Sequence, residues 1–175
     1  GLVFFIIILV VLYKYKYDLK EFWVTRNYIF WSENVEIELS DFENDISHNS
    51  NSNIVYYNGF YIKSNDREDV YVKSFFDKSK SCAKDTSKYY FDKSIKLQKI
   101  RFNLFEVYAR KFNKEIDKLK LDKSKTFNDL ENVGESLYKE LGVLLNEIDN
   151  NQINIYTKIK KWRPKVNEML NKNEE

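Results

Sequence analysis

The sequence predicts a mainly α-helical chain with a small antiparallel β element: an N-terminal membrane helix, a β-hairpin region and a C-terminal amphipathic helical hairpin. Three features predict it: an apolar run at the N-terminus, an Asn-Gly dipeptide between β-prone runs, and apolar residues spaced by three and four in the C-terminal half. We expect a membrane anchor and interfacial helix over 1–31, a small β-hairpin region over 32–65, a helical region over 66–170 and a polar tail over 171–175.

The apolar run covers residues 2–12 and contains only Leu, Val, Phe and Ile. Alternating Tyr and Lys follow over residues 13–17. Tyr rings sit well at headgroup depth, and a Lys stem can follow apolar surface while its ammonium reaches water. A helix over 2–17 would be roughly 24 Å long against about 30 Å of hydrocarbon, which is short for a full crossing; about five or six more apolar residues ahead of Gly1 would make it an ordinary single span. The alternative is a buried core segment of a soluble protein.

The anchor helix is expected to continue past residue 17, because an apolar and aromatic stripe recurs there at helical spacing. We expect this stripe to lie on lipid headgroups or on a neighbouring subunit, or else to pack on the protein's own domain. Its members are Leu19, Phe22, Trp23, Arg26, Ile29 and Phe30.

The β element is expected between residues 35 and 63. Val35, Ile37 and Leu39 alternate with glutamates, which is the period-two pattern of a half-buried strand. A polar loop is expected over 41–53. Asn58-Gly59 then separates two β-prone runs, 54–57 and 60–62, and predicts a tight hairpin turn because both residues tolerate positive φ.

From Asp66 onward the pattern becomes helical, although only weakly over 70–80. A long amphipathic helix is predicted from the apolar positions Leu97, Ile100, Leu104, Val107, Tyr108, Phe112, Ile116 and Leu119. A second one follows, and Thr126 with Asp129 three residues on forms a capping-box-like start. Its heptad a positions are 127, 134, 141 and 148, and its d positions are 130, 137 and 144.

These two helices, linked by residues 120–125, are expected to pack on each other as an antiparallel hairpin, with an extended coiled coil as the alternative. Gly134 at an a position would allow close approach of another backbone. The second helix should end at 149–151. A last helical stretch carries Ile155, Ile159 and Trp162, stops near Pro164, and resumes with Val166, Met169 and Leu170.

Composition narrows the possible partners. The chain has 175 residues and a net charge of +2 from 29 basic and 27 acidic side chains, which gives no reason to propose nucleic acid as a partner. Cys82 is the only cysteine, so an internal disulfide is excluded. Abundant Lys, Asn, Ile, Phe and Tyr with little Ala, Gly and Pro are typical of AT-rich coding, as in some organelles, protists and bacteria.

The sequence offers no constellation for catalysis. His48 is the only histidine and lies in the predicted loop, while Cys82 stands between Lys80 and Lys84 without a second Cys or His nearby. Two residues of the Cys and His type cannot supply a four-ligand zinc site. The acidic cluster 66–69 lacks the spacing of a calcium loop, and no phosphate-binding or nucleophile motif occurs. We therefore expect no catalytic, cofactor-binding or metal-binding residue, no cofactor and no enzyme activity.

These observations predict a non-catalytic, membrane-anchored structural or accessory subunit of a larger membrane protein complex, possible settings being an organellar respiratory or ATP-synthase assembly. The expected partners are other protein subunits and the lipid bilayer, with no nucleic acid and no identified small-molecule substrate. We expect a single-pass protein of the mitochondrial inner membrane with its soluble part in the matrix, because Lys14, Lys16, Lys20 and Arg26 follow the apolar run; the alternative is a bacterial plasma membrane. The alternative function is a membrane-anchored sensor or ligand-binding module.

Overall fold

A computed structural model describes residues 15–44, 54–64, 70–83, 88–122, 126–150 and 152–173 of the chain. The helices are α1 (Lys16–Thr25), α2 (Lys88–Leu121), α3 (Phe127–Asp149) and α4 (Ile155–Asn171). The strands are β1 (Tyr28–Phe30), β2 (Ile54–Val55), β3 (Asn58–Ser64), β4 (Val70–Asp77) and β5 (Cys82–Ala83), with short 3-10 helices at Leu39–Asp41 and Lys78–Lys80. This confirms a mainly helical chain with a small antiparallel sheet.

The predicted helical hairpin is present, formed by α2 and α3. Arg101 of α2 pairs with Asp149 at the end of α3, and Lys111, which lies further along α2, pairs at 3.6 Å with Glu140, which lies earlier in α3, so the two helices run antiparallel. The predicted a and d positions 130, 141 and 148 of α3 face α2 and α4, since Leu130, Leu141 and Ile148 are buried in clusters shared with those helices. The heptads therefore serve packing within the chain.

The start of α3 is capped as its sequence predicts. The backbone N–H of Thr126 donates to Asp129 Oδ2 at 2.6 Å, and the Thr126 hydroxyl donates to the same oxygen at 2.9 Å. Such a capping box satisfies groups that the first turn of a helix leaves without an intrahelical partner. The helix ends at Asp149, where the sequence predicts its end.

The predicted break at Pro164 is wrong, because α4 runs unbroken from Ile155 to Asn171. Trp162, Val166 and Leu170 lie on one face of this helix and are 1%, 0% and 8% exposed. They form one apolar stripe that continues on both sides of the proline and is buried against α2 and α3. We attribute the continuity to this burial, which outweighs the roughly 3 kcal/mol that an internal proline costs a helix.

The sheet is placed differently from the prediction. Its strand order is β1-β4-β3, all antiparallel, and β2 pairs separately with β5. The expected turn at Asn58-Gly59 is wrong, since both residues lie in β3 opposite Phe76 and Phe75. Gly59 is needed for a close approach instead: a Cβ there would come within 2.8 Å of the Phe75 ring.

The helix that is weakly predicted over 70–80 is also wrong, because 70–77 forms β4, the central strand of the sheet. Val70, Val72 and Phe76 alternate on the inner face of this strand and are 5%, 2% and 1% exposed. On the same face, the Ser74 hydroxyl donates to Glu106 of α2 at 2.8 Å. Burial of β-prone side chains against α2 therefore decides the structure here.

Two further strand and helix boundaries differ from the prediction. Residues 35–38 form no strand; they run beside α2, where the Val35 carbonyl accepts from Lys99 Nζ at 2.5 Å, and a 3-10 helix follows at Leu39–Asp41. The helix after the apolar run is confirmed over Lys16–Thr25, but it does not extend to Ile29 and Phe30, which belong to β1 and pair with Phe76 and Phe75. In both places a non-local partner overrides the local pattern.

The apolar run at 2–12 and most of the predicted loop at 41–53 lie outside the described residues. Among the helices that the structure does describe, none is both long and apolar enough to cross a bilayer.

Candidate functional site

A cleft of about 670 Å³ opens between the segment 33–38 and the helical layer. We call it the polar cleft. It is lined by the segment 33–38, by Tyr56, Asn58 and Phe76 of the β region, by residues of α2 between 95 and 103, and by Arg163 and Asn167 of α4. Its volume lies within the roughly 300–1,000 Å³ of typical small-molecule sites.

The segment that forms one wall of the polar cleft is held in place from both sides. Just before it, Trp31 Nε1 donates to Asn103 Oδ1 of α2 at 2.9 Å, and the Trp31 backbone N–H donates to the Ser74 carbonyl of β4 at 3.0 Å. Just after it, the Phe42 ring packs edge-on against Phe76 with centroids 5.4 Å apart. The wall is therefore anchored to the sheet and to α2.

Charge is divided between the walls of the polar cleft. The segment contributes three acidic residues, Glu33, Glu36 and Glu38, while α2 and α4 contribute three basic residues, Lys96, Lys99 and Arg163. Burial lowers the pKa of Lys99, and the nearby carboxylate of Glu36 acts in the opposite direction. The cleft thus presents both signs of charge to anything that enters it.

Two residues that line the polar cleft each carry a buried polar atom that lacks a hydrogen-bond partner in the described part of the chain. The hydroxyl of Tyr56 and the side-chain oxygen of Gln98 are shielded from solvent and accept or donate no hydrogen bond within the described part of the chain. Burial raises the pKa of the Tyr56 hydroxyl, so this group keeps its proton at neutral pH and is able to donate. A buried polar atom without a partner is rare in folded proteins and requires an explanation.

A second candidate site is the outer surface of α1, which we call the α1 face: Leu19, Phe22 and Trp23. These residues are 40%, 62% and 62% exposed. Contiguous apolar patches on a protein surface mark sites of protein–protein or membrane contact.

The opposite side of α1 is tied to the sheet. Glu21 forms an ion pair with Lys63 of β3 at 3.1 Å and accepts from the Tyr71 hydroxyl of β4 at 3.4 Å. At the end of the helix, the Arg26 guanidinium lies 5.0 Å from the centre of the Trp23 ring. These contacts fix the orientation of α1 and leave Phe22 and Trp23 directed away from the domain.

Of the candidate residues His48, Cys82 and the acidic cluster 66–69, the structure describes only Cys82, which lines neither site. Cys82 is 6% exposed and lies in β5 opposite Val55. His48 and the acidic cluster 66–69 lie outside the described residues. Within the part of the chain that the structure describes, no three side chains of the His, Cys, Asp and Glu types are grouped so that they could hold a metal ion.

Sequence reasoning missed the polar cleft entirely. Its key residues, Tyr56 and Gln98, are 42 positions apart and belong to no recognisable motif. The alternation over residues 35–39 predicts a strand and therefore gives the glutamates at 36 and 38 no role in a cleft. No signal in a single sequence brings the β region and α2 together at this point. The α1 face, by contrast, follows from the helical spacing of Leu19, Phe22 and Trp23.

Comparison with known proteins yields no relative from which a role could be inferred: no family model, no curated protein and no solved structure matches this chain.

Proposed function

We propose that this chain is a non-catalytic, membrane-anchored accessory subunit of a larger membrane protein complex, and that α1 lies at the membrane–water interface. The observation that carries the proposal is the α1 face, because its large apolar side chains are left uncovered although the helix is tied to the sheet through Glu21. The apolar run ends only a few residues before α1, so a bilayer that held the run would place α1 at its surface.

The chemistry of the α1 face suits lipid headgroups. Trp and Tyr are enriched at membrane interfaces, where one end of the side chain is apolar and the other is hydrated. Lys20 and Arg26 add positive charge beside them, which favours anionic lipids. We expect the chain to be a single-pass protein of an organellar inner membrane or of a bacterial plasma membrane.

The helical hairpin supplies a surface for soluble partners of the same complex. Tyr138 and Val143 on α3 are 58% and 60% exposed, although the buried stripe of the same helix is fully used by α2 and α4. Aromatic residues are enriched in protein–protein interfaces. In this proposal, α1 holds the subunit at the membrane, and the outer side of the hairpin contacts other subunits.

The proposal can be tested by two measurements on cells that produce the protein. We expect the chain to stay in the membrane pellet after carbonate extraction and to co-migrate with other chains after native purification in mild detergent. Release by carbonate, or purification as a lone monomer, would contradict the proposal.

A second candidate function is a membrane-anchored ligand-binding module, and the polar cleft is the observation that favours it. The side of the membrane on which the domain lies separates the candidates, because a module that senses an external ligand would face away from the cytosol or matrix. Protease protection of sealed vesicles reports this directly. Labelling of Cys82 is unsuitable, since its side chain is only 6% exposed.

A further inference from the structure

We propose that the outer surface of α4 binds an acidic segment of a partner protein. We call this surface the α4 face and define it by the exposed residues Lys160, Lys161, Arg163 and Lys165. The inference rests on the proposed function, because it names the chemistry of one partner within the complex. It is argued from the charge of α4, from the scarcity of ion pairs there, and from the acidic groups on both of its borders.

Basic side chains are concentrated in α4. The helix contains five basic side chains but only one acidic residue, Glu168. Since the whole chain carries a net charge of only +2, the residues outside α4 are acidic on balance. Glu168 is itself paired at 2.6 Å with Lys172, which lies just past the end of the helix. The helix therefore has no acidic residue of its own to neutralise the α4 face.

The neighbouring helix treats its lysine differently. Lys139, the only lysine of α3, pairs with Glu135 one turn away at 3.8 Å. On the α4 face, within the part of the chain that the structure describes, only Lys161 forms an ion pair, and its distance to Glu147 is 4.0 Å. Lys161 and Lys165 also stand four positions apart on one helix, where like charges repel each other. An acidic partner would relieve this repulsion.

The α4 face is held rigidly. The opposite side of the helix carries Trp162 and Val166, which are 1% and 0% exposed in the core. The ammonium groups of Lys161 and Lys165 lie 5.2 and 4.3 Å from the centre of the Trp162 ring, so both side chains run along this buried residue. A backbone and side chains that are already ordered lower the entropy that binding of a partner costs.

Acidic groups border the α4 face on both sides and restrict the shape of its partner. Glu147 of α3 lies beside Lys161, and the glutamates of the segment 33–38 line the polar cleft together with Arg163. The basic surface is therefore about one helix wide, roughly 10 Å. A nucleic-acid duplex or the plane of an anionic bilayer is broader and would meet like charge at both borders, whereas a single acidic helix or extended segment fits between them.

The position of α4 in the fold also favours a protein partner over lipid. Val70 and Val72 of β4 pack against α2, whereas the Tyr71 hydroxyl between them donates to Glu21 of α1, so α1 and α2 lie on opposite faces of the sheet. Through Trp162, α4 packs on α2 and not on the side of α1. A bilayer that held the α1 face would leave the α4 face in the aqueous compartment.

The test uses the chain in nanodiscs of zwitterionic lipid and titrates it into a fluorescent peptide of glutamate and alanine residues. We expect binding in the micromolar range that weakens as salt is added, and no binding of the same peptide with glutamine in place of glutamate. Absence of binding at protein concentrations up to about 1 mM would overturn the proposal, as would equal binding of the glutamine peptide.

Two triple variants locate the binding surface. The α4 variant combines Lys160→Gln, Arg163→Gln and Lys165→Gln, and we expect it to bind the peptide at least about tenfold more weakly. The matched control removes three exposed cations of α2 and α3 and combines Lys114→Gln, Lys118→Gln and Lys139→Gln; its affinity should change less than about threefold. An equal loss in both variants would mean that the peptide senses only the net charge and would contradict the proposal.

A DNA duplex and vesicles of anionic lipid are the other anions to be compared. We expect the α4 variant to lose less affinity for either of them than for the acidic peptide. A larger loss of DNA or vesicle binding would assign the α4 face to that ligand and would overturn the choice of a protein segment.

The stability of the α4 variant distinguishes a binding role from a structural one. Because its three cations form no ion pair within the described residues, the melting temperature should change by less than about 3 °C, and a larger fall would mean that these cations hold the fold together. Carbonate extraction of cells that produce the native chain keeps the two proposals separable. A membrane-bound chain that ignores the acidic peptide overturns only this inference, whereas a released chain that binds the peptide overturns only the membrane anchor.

Discussion

Asn113 closes an edge of the sheet that the short strand β1 leaves uncovered. β1 pairs with only the last three residues of β4, whereas the Val72 peptide groups lie nearer the start of the strand. The Asn113 side chain accepts from the Val72 N–H at 2.7 Å and donates to the Val72 carbonyl at 2.8 Å. A helix side chain thus replaces a missing strand neighbour.

Replacing Asn113 with Ala should therefore expose this edge. Two backbone groups would be left without partners at Val72, which is 2% exposed, and we expect the free energy of unfolding to fall by about 2–4 kcal/mol. Urea denaturation of Asn113→Ala measures the effect. Asn146→Ala on the exposed side of α3 is the control and should change stability by less than about 0.5 kcal/mol. Equal stability of both variants would contradict this role of Asn113.

Two helical glycines of α3 differ in their surroundings. A Cβ at Gly134 would come within 2.8 Å of the Phe112 ring of α2, whereas nothing lies within 4 Å of a Cβ at Gly142. Gly134 therefore allows the close packing of the two helices that its heptad position suggests, although the neighbour is a side chain rather than a backbone.

The pair Gly134→Ala and Gly142→Ala tests this difference. Both changes gain helix propensity worth about 0.8–1 kcal/mol, and Gly142→Ala should show that gain in full. Gly134→Ala must also displace the Phe112 ring, which is buried, so its net effect should be smaller than that of Gly142→Ala or destabilising. Thermal melts compare the two, and equal stabilisation would mean that the Phe112 ring moves aside without cost.

At the scale of elements, α3 joins two parts of the core. One cluster brings Leu141 and Ile148 together with Trp162 of α4, and another brings Leu130 together with Phe112 and Ile116 of α2. The partly buried Leu137 contacts both clusters. The hairpin is therefore the part of the chain on which the rest of the core depends.

A charge on the buried side of α3 should disrupt this core. Leu141 is 1% exposed, and we expect Leu141→Asp to lower the free energy of unfolding by about 4 kcal/mol or more, because a carboxylate would be buried without a partner. Val143→Asp is the matched control on the same helix, since Val143 is 60% exposed and should tolerate the charge. Equal melting temperatures of the two variants would show that the assigned face of α3 is wrong.

The helices could be predicted from the sequence because their evidence is local. The spacing of Leu130, Leu141 and Ile148 and the capping pair of Thr126 and Asp129 lie within one segment, and the structure has both. The continuity of α4 through Pro164 could not be predicted, because it depends on what Trp162 and Val166 contact elsewhere in the chain.

The strands could not be placed in the same way. The alternation at residues 35–39 satisfies the pattern of a strand, yet the Val35 carbonyl accepts from a lysine of α2 rather than from a strand. The β4 sequence lacks a clear alternation because Phe75 and Phe76 are both buried, one on each face. The candidate cleft could not be predicted for the same reason, since Tyr56 and Gln98 come to line one cleft only through tertiary structure.

At the scale of the whole molecule, we propose opposite roles for two surfaces. In this proposal the α1 face contacts lipid, and the helical hairpin extends into the aqueous compartment. Glu21 links the two, because its contacts with Lys63 and Tyr71 hold α1 against the sheet. Reversing the charge at this link, as in Glu21→Lys, would test whether the sheet fixes the orientation of α1.

The central claim is that the α1 face enters the membrane interface, and Trp23 reports on it directly. Of the three tryptophans, Trp23 is 62% exposed, Trp162 is 1% exposed, and Trp31 is hydrogen-bonded to Asn103. The measurement is tryptophan fluorescence of the full-length chain in anionic liposomes whose acyl chains carry bromine, a quencher that acts at short range. We expect strong quenching that is largely lost in Trp23→Phe. Fluorescence that bromine leaves unchanged, or quenching that persists fully in Trp23→Phe, would contradict it.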